Sequence, residues 1–186
     1  MKRFCLISIA LWVVIARNAA GQDAPKGLPS LTIKQAGNVP AACLPIHNEA
    51  LPLLGAAVGP LDGEWPPEEW AIVRQPSGKA FILKPGECIT YGTTLNGYRQ
   101  EGGGHPLVAG ATYEFIVRSG DKPSRWDEGL FLSVFCIEQQ ADGSRRILPY
   151  VLHDDGTATY PRCGRYIGWK AAPNSFIPSD YPASRE

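Results

Sequence analysis

The sequence predicts an all-β protein, an immunoglobulin-like β-sandwich of about seven strands held by disulfides. Three observations predict it. Short apolar or alternating runs recur between turn signals along most of the chain, the pattern of a many-stranded β domain. No stretch sustains a helical apolar period with caps at its ends. Four cysteines, Cys43, Cys88, Cys136 and Cys163, follow an export-type leader, which is the arrangement of a disulfide framework in an oxidising compartment.

The leader comes first. Met1, Lys2 and Arg3 precede the apolar run Phe4 to Ala16, and RNAAGQ follows with small residues at Ala19 and Gly21. That order is a cleavable secretory signal over residues 1–21. The run is short for a bilayer span, so no stable membrane span is expected after cleavage. Residues 22–39 (QDAPKGLPSLTIKQAGNV) are polar with scattered Gly and Pro and read as a linker. A single domain is expected over 40–170. The tail, 171–186, is rich in Pro and Ser but carries Phe176, Ile177 and Tyr181; it either packs on the sandwich or reaches towards a partner.

Within the domain, Asn48 to Val58 is the best helical candidate, and Pro52 and Gly55 break it. Trp70 to Gln75 (WAIVRQ) and Ala80 to Lys84 (AFILK), joined by Pro76-Ser77-Gly78-Lys79, read as a hairpin. Glu87 to Tyr91 (ECITY) follows the breaker Pro85-Gly86. Thr112 to Ser119 (TYEFIVRS) alternates with a strongly apolar face. Gly129 to Gln139 (GLFLSVFCIEQ) is apolar on both faces and is the candidate central strand. Arg146 to His153 (RILPYVLH) reads as its partner, with Pro149 marking an edge or a bulge.

Charge excludes one class of partner. The signal carries Lys2, Arg3 and Arg17 and no acid, so of the 18 basic residues 15 remain against 18 acidic ones, a net charge of −3. Nucleic-acid binding needs a basic surface and is not expected. The four cysteines offer no C-x-x-C pair and no histidine at ligand spacing, so neither a metal nor another cofactor is expected. Three disulfide pairings are open; Cys43 with Cys136 or with Cys88 is preferred, leaving Cys163 to tie down the C-terminal segment.

Catalytic chemistry would have to use His47, His105 or His153. His105 follows Gly102-Gly103-Gly104, but no G-x-S-x-G nucleophile accompanies it. His153-Asp154-Asp155-Gly156 is explained by a turn, and His47 has no second cluster beside it. The protein is therefore read as a binder rather than an enzyme. Two loops carry that reading. Asp62, Glu64, Trp65, Glu68, Glu69 and Trp70 lie together in a Pro-rich segment, and Arg125, Trp126 and Asp127 lie in GDKPSRWDEG. Trp and Arg within a charged rim are the residue types that anchor protein interfaces; the competing reading of Trp65 and Trp70 is that they cap the core.

The export signal, Cys43-Leu44-Pro45-Ile46, Gly86-Glu87-Cys88-Ile89, Tyr113-Glu114-Phe115 and the Phe135-Cys136-Ile137 strand together resemble the small cysteine-containing periplasmic immunity proteins of type VI secretion systems. The matching motifs span roughly residues 42–138. The resemblance implies a periplasmic protein that binds a cognate secreted effector, a lipase or a cell-wall hydrolase, and occludes its active site. Many members of that group are lipoproteins, whereas this signal has no cysteine at its cleavage point, so a protein without a lipid anchor is expected. Two other classes remain open: a glycan- or wall-binding sandwich that uses exposed tryptophans as stacking platforms, and a small secreted hydrolase that would depend on a histidine such as His105.

Overall fold

In the computed structural model, residues 30–61, 63, 67, 69–120 and 129–183 are described. The expected signal at 1–21 and the first part of the linker, 22–29, lie outside them. The described residues contain no helix and thirteen strands: β1 (Thr32–Ala36), β2 (Val39–Cys43), β3 (Leu51–Pro60), β4 (Trp70–Arg74), β5 (Ile82–Leu83), β6 (Cys88–Thr90), β7 (Tyr98–Glu101), β8 (Thr112–Ser119), β9 (Leu130–Gln139), β10 (Arg145–Pro149), β11 (Val151–Leu152), β12 (Thr157–Thr159) and β13 (Lys170–Ala171). The protein is all-β, as its sequence predicts, and it is stapled by two disulfides, Cys43–Cys88 and Cys136–Cys163.

The strands form three sheets. The largest has the order β10-β9-β8-β3-β4-β7, with β5 paired to one end of β3; the smaller ones are β1-β2-β6 and β11-β12-β13. Alternation on β8 and β9 decides how they stack. Tyr113, Phe115 and Val117 of β8 and Phe135 and Ile137 of β9 face one side, where they meet Ile33, Ala42, Leu44 and Ile89 of the β1-β2-β6 sheet. Val134 and Cys136, one residue out of phase, face the other side and meet Tyr150, Ala158 and Tyr160. The apolar-on-both-faces run at 130–139 thus has a reason: β9 is covered by a sheet on each side.

Two polar side chains close the sandwich. The Gln35 side chain accepts from Ile147 N–H at 3.2 Å and donates to the Arg145 carbonyl at 3.1 Å. It stands in for a missing strand partner along the edge of β10 and ties β1 to it. The buried Ser133 hydroxyl donates to the Leu31 carbonyl at 2.6 Å and accepts from Leu31 N–H at 2.9 Å. Leu31 is only 5% exposed, so the hydroxyl satisfies two buried backbone groups. Residues 30–39 therefore belong to the folded body, which corrects the reading of that part of 22–39 as linker: its polar residues belong to β1, whose burial pattern leaves Ile33 alone deeply buried.

The C-terminal segment packs as well. Ala171 N–H donates to the Tyr181 hydroxyl at 2.9 Å, Tyr166 N–H to the Asp180 carboxylate at 2.8 Å, and Tyr160 N–H to the Ser175 hydroxyl at 2.7 Å. Tyr160, Tyr166 and Tyr181 stack edge and face on one another. This aromatic cluster sits over the Cys136–Cys163 bridge, so Cys163 does tie down the C-terminal part.

Three local expectations change. The 70–75 and 80–84 runs do not form a hairpin: β4 pairs with β3 and β7, and β5 pairs with β3. The turn after β4 closes against Gly97, where a side chain on Gly78 would meet the Gly97 carbonyl oxygen and Gln75 N–H donates to the same carbonyl, so the chain leading into β7 takes the edge of β4. The 146–153 run is cut in two, because Pro149 has no N–H for the ladder and Tyr150 turns into the aromatic cluster. Residues 51–60, within and beyond the broken helical candidate, form a ten-residue interior strand between β8 and β4.

Candidate functional site

The covered side of the large sheet is its core face. On the opposite face, the β11-β12-β13 sheet covers only the Val134/Cys136 end, and the rest carries a trough. Strand register builds it row by row. One row runs Leu132, Ile116, Ala57, Ala71, Glu101 across β9, β8, β3, β4 and β7; the next runs Leu130, Arg118, Gly55, Val73, Arg99. Neighbouring strands lie about 4.8 Å apart, so the four strands from β8 to β7 span about 14 Å.

The floor is low because its residues are small. Gly55, Ala57 and Ala71 line the bottom, Ile116 and Val73 rise beside them, and Arg118 and Glu101 stand at the rims of a depression of about 220 Å³. Gly55 has a second reason to be glycine: a Cβ there would come within 2.8 Å of the Ile72 carbonyl oxygen. Glu101 is ion-paired with Arg99 on the same strand. An apolar floor between charged rims is the anatomy of a protein-contact patch, with a dry centre and a polar border.

One end of the trough is closed by Pro67, whose Cβ would lie 2.5 Å from a Cβ on Gly59. The loop that supplies Pro67 leaves β3 at Pro60 and enters β4 at Trp70. The second sequence-predicted loop leaves β8 at Ser119 and enters β9 at Leu130, where Ser119 N–H donates to the Gly129 carbonyl at 2.8 Å. Pro60 is paired with Tyr113 and Leu53 with Ser119, so the two loop bases stand at opposite ends of β8, about 20 Å apart at 3.3 Å per residue. The two loop bases therefore stand at the two ends of β8 rather than in one place.

Of the nine residues expected to contact a partner, Asp62, Glu64, Trp65, Glu68, Arg125, Trp126 and Asp127 lie outside the described residues. Glu69 is partly exposed at the start of β4. Trp70 is a correction: its ring has no exposed surface and packs between Tyr91 and Phe115 at centroid distances of 5.7 and 6.0 Å. It is a core residue because its position in β4 pairs with Val58 on the covered face.

No family model, no curated protein and no solved structure matches this chain.

Next to Trp70, Tyr91 organises the entry to the first loop. Its hydroxyl lies 3.0 Å from the Glu69 carbonyl and 2.5 Å from the His105 carbonyl, and His105 N–H donates to the Glu69 carbonyl at 3.1 Å. Burial, and then the Glu69 carboxylate, push the Tyr91 hydroxyl up to about 12. The tyrosine thus stays protonated and holds the glycine-rich segment 102–104 and the end of the 61–69 loop together. His105 is itself exposed, and its role here is through its backbone.

The other histidines stand on separate elements. His153 bonds the Thr159 hydroxyl at 2.9 Å in the β11–β12 turn, where Asp155 is held below its usual carboxylate range by hydrogen bonds from Thr157. His47 is exposed in a turn closed by Asn48 N–H to the Pro45 carbonyl at 3.1 Å, beside Ile46, which is 85% exposed. Among the described residues, no three His, Cys, Asp or Glu side chains gather as metal ligands.

The sequence reading missed the trough. Its residues, Ala57, Ala71, Val73 and Ile116, are ordinary strand residues whose common face appears only once the register of four strands is known. The one available signal was the run of small residues Gly55, Ala56, Ala57 and Gly59, which marks a place where other groups approach a strand closely.

Proposed function

We propose that this is an exported binding protein of the periplasm, an immunity protein that seats a cognate secreted effector against the trough face of its large sheet and blocks that effector's active site. One observation carries the proposal: an apolar depression between Arg118 and Glu101, with a buried floor of Gly55, Ala57 and Ala71, built on the large sheet that the Cys136–Cys163 bridge staples to the C-terminal segment. Rigid, preformed surfaces bind without the ordering cost that flexible ones incur. The disulfides fit an oxidising, extracytoplasmic compartment, and no described helix is long and apolar enough to cross a membrane.

The resemblance to type VI immunity proteins names the effector class, a lipase or wall hydrolase delivered by the same secretion system. Trp65 and Trp126 belong to the segments whose bases stand at the two ends of β8, and they are the next residues to test as contacts. The test is capture of secreted proteins from the source cells by the tagged mature protein, with mass spectrometry of what is retained. A stoichiometric hydrolase that loses activity in the complex supports the reading, and Ile116→Lys, which puts a charge on the trough wall, should release it. Retention of the hydrolase by Ile116→Lys at unchanged affinity would remove the trough from the interface. Quenching of tryptophan fluorescence by glycans, with no protein retained, would support a wall-binding module instead.

A further inference from the structure

The two disulfides occupy opposite environments. Cys136 is fully buried, and Cys163 is half-buried against the tyrosine cluster. Cys43 is buried at 2% exposure, but Cys88 is exposed on β6, the outermost strand of its sheet. Cys43 and Cys88 are direct cross-strand partners, the last pair of a three-pair ladder. Their backbones are held independently of the sulfurs. Leu44 N–H donates to the Glu87 carbonyl at 3.0 Å and Gly86 N–H to the Leu44 carbonyl at 2.8 Å just beyond the bridge, and on the other side Ile89, 2% exposed, anchors β6 in the core.

Thiol–disulfide exchange needs an accessible sulfur for the attacking thiolate and, for reversibility, two cysteines that stay together after the bond is cut. Both conditions meet at Cys88 and only there among the described residues. We propose that the Cys43–Cys88 bridge is a reversible exchange site, attacked at Cys88 by a dithiol reductant of the extracytoplasmic compartment, while Cys136–Cys163 is a permanent staple. A reductant thiolate bonds to Cys88 Sγ, the Cys43–Cys88 bond breaks and Cys43 leaves as a thiolate. The second thiolate of the reductant then attacks its own sulfur in the mixed disulfide, and Cys88 leaves as a thiolate. The protein takes up two electrons and, with two protons from water, holds two thiols; the reductant becomes a disulfide. The ladder and Ile89 keep the two thiols facing each other, so an oxidant closes the bridge again.

The experiment uses the mature protein without denaturant in glutathione buffers of graded reduced-to-oxidised ratio. Free thiols are alkylated and located by peptide mass spectrometry. The expected result is that Cys43 and Cys88 become labelled together while Cys136 and Cys163 remain joined, with the β-sheet circular dichroism retained and the label lost again after reoxidation. In single variants, the Cys88 thiol of Cys43→Ser should form the mixed disulfide with glutathione roughly tenfold or more faster than the Cys43 thiol of Cys88→Ser, because access sets the rate. Reduction of both bridges at the same ratio, reduction of Cys136–Cys163 first, or reduction of Cys43–Cys88 only as the sheet signal collapses would each overturn the proposal.

Discussion

Ser133→Ala removes a single oxygen and leaves two buried backbone groups without a partner. The hydroxyl both donates to and accepts from Leu31, a residue 102 positions earlier in the chain, and both residues are about 95% buried, with exposures of 4% and 5%. A buried polar group left unpaired costs about 1 to 3 kcal/mol. Two such groups, partly rehydrated when the chain end loosens, give an expected loss of about 2 to 4 kcal/mol, a large share of the 5 to 15 kcal/mol that holds a typical domain. Urea unfolding of the mature protein reads the loss as a lower midpoint with an unchanged slope. Hydrogen exchange should show the Leu31 amide losing protection, while core amides of β8 exchange only with global unfolding. Ser133→Thr, which keeps the hydroxyl, should recover most of the stability. If Ser133→Ala unfolds within 0.5 kcal/mol of the parent, the ordinary range of an uninvolved surface change, and Leu31 stays protected, then the 30–39 segment is not held as described.

Further outcomes follow from other parts of the fold. Replacing Cys136 and Cys163 together by serine frees a loop with a sequence separation of 27, for which the chain-entropy relation gives about 3 to 4 kcal/mol of lost stability, measurable by the same urea titration. Gly164→Ala would bring a Cβ within 2.5 Å of the Tyr150 hydroxyl, which accepts from Arg165 N–H at 2.8 Å and donates to the Arg165 carbonyl at 3.0 Å; overpacking there should cost about 1 to 3 kcal/mol and lower the melting temperature. Tyr91 and Tyr160 are each pushed up to about 12, chiefly by burial. A raised folded-state pKa means that the folded state keeps a proton that the unfolded chain gives up, so this stability is complete below about pH 10 and is lost as pH rises towards 12. Ultraviolet titration of the parent against Tyr91→Phe and Tyr160→Phe should place the ionisation that each variant removes well above pH 10, and removal of an ionisation near pH 10 would contradict the burial described.

How much of this was legible in the sequence depended on where the information lay. β8 could be read to the residue because Tyr113, Phe115 and Val117 alternate with half-exposed neighbours, a period that a single strand carries by itself. β9 was legible as a strand buried on both faces, since only the small Ser133 interrupts its apolar run from Leu130 to Ile137. β3 was not: Pro52, Gly55, Ala56, Ala57 and Gly59 have low strand propensity, and they stand there because Ile72, Pro67 and the trough need the space. β1 was hidden for a different reason: it is held by its ladder to β2 and by the Gln35 side chain, with Ile33 alone deeply buried, so no apolar period marks it. The four cysteines announced two bridges but not their partners, and the choice of Cys43–Cys88 follows from β2 and β6 being neighbours. For the site, the loop sequences pointed to a partner surface, yet Trp70 went inward, and the trough emerged only from the register of strands far apart in the chain.

The most direct measurement of the binding account is a titration of the captured hydrolase's activity with the mature protein and with Ile116→Lys, at enzyme concentrations well above the dissociation constant. The account predicts that the parent abolishes activity at one molecule per enzyme and that Ile116→Lys, folded by circular dichroism, leaves the enzyme active at the same ratio. Full inhibition by both proteins, or a hydrolase bound by the parent yet still active, would contradict it.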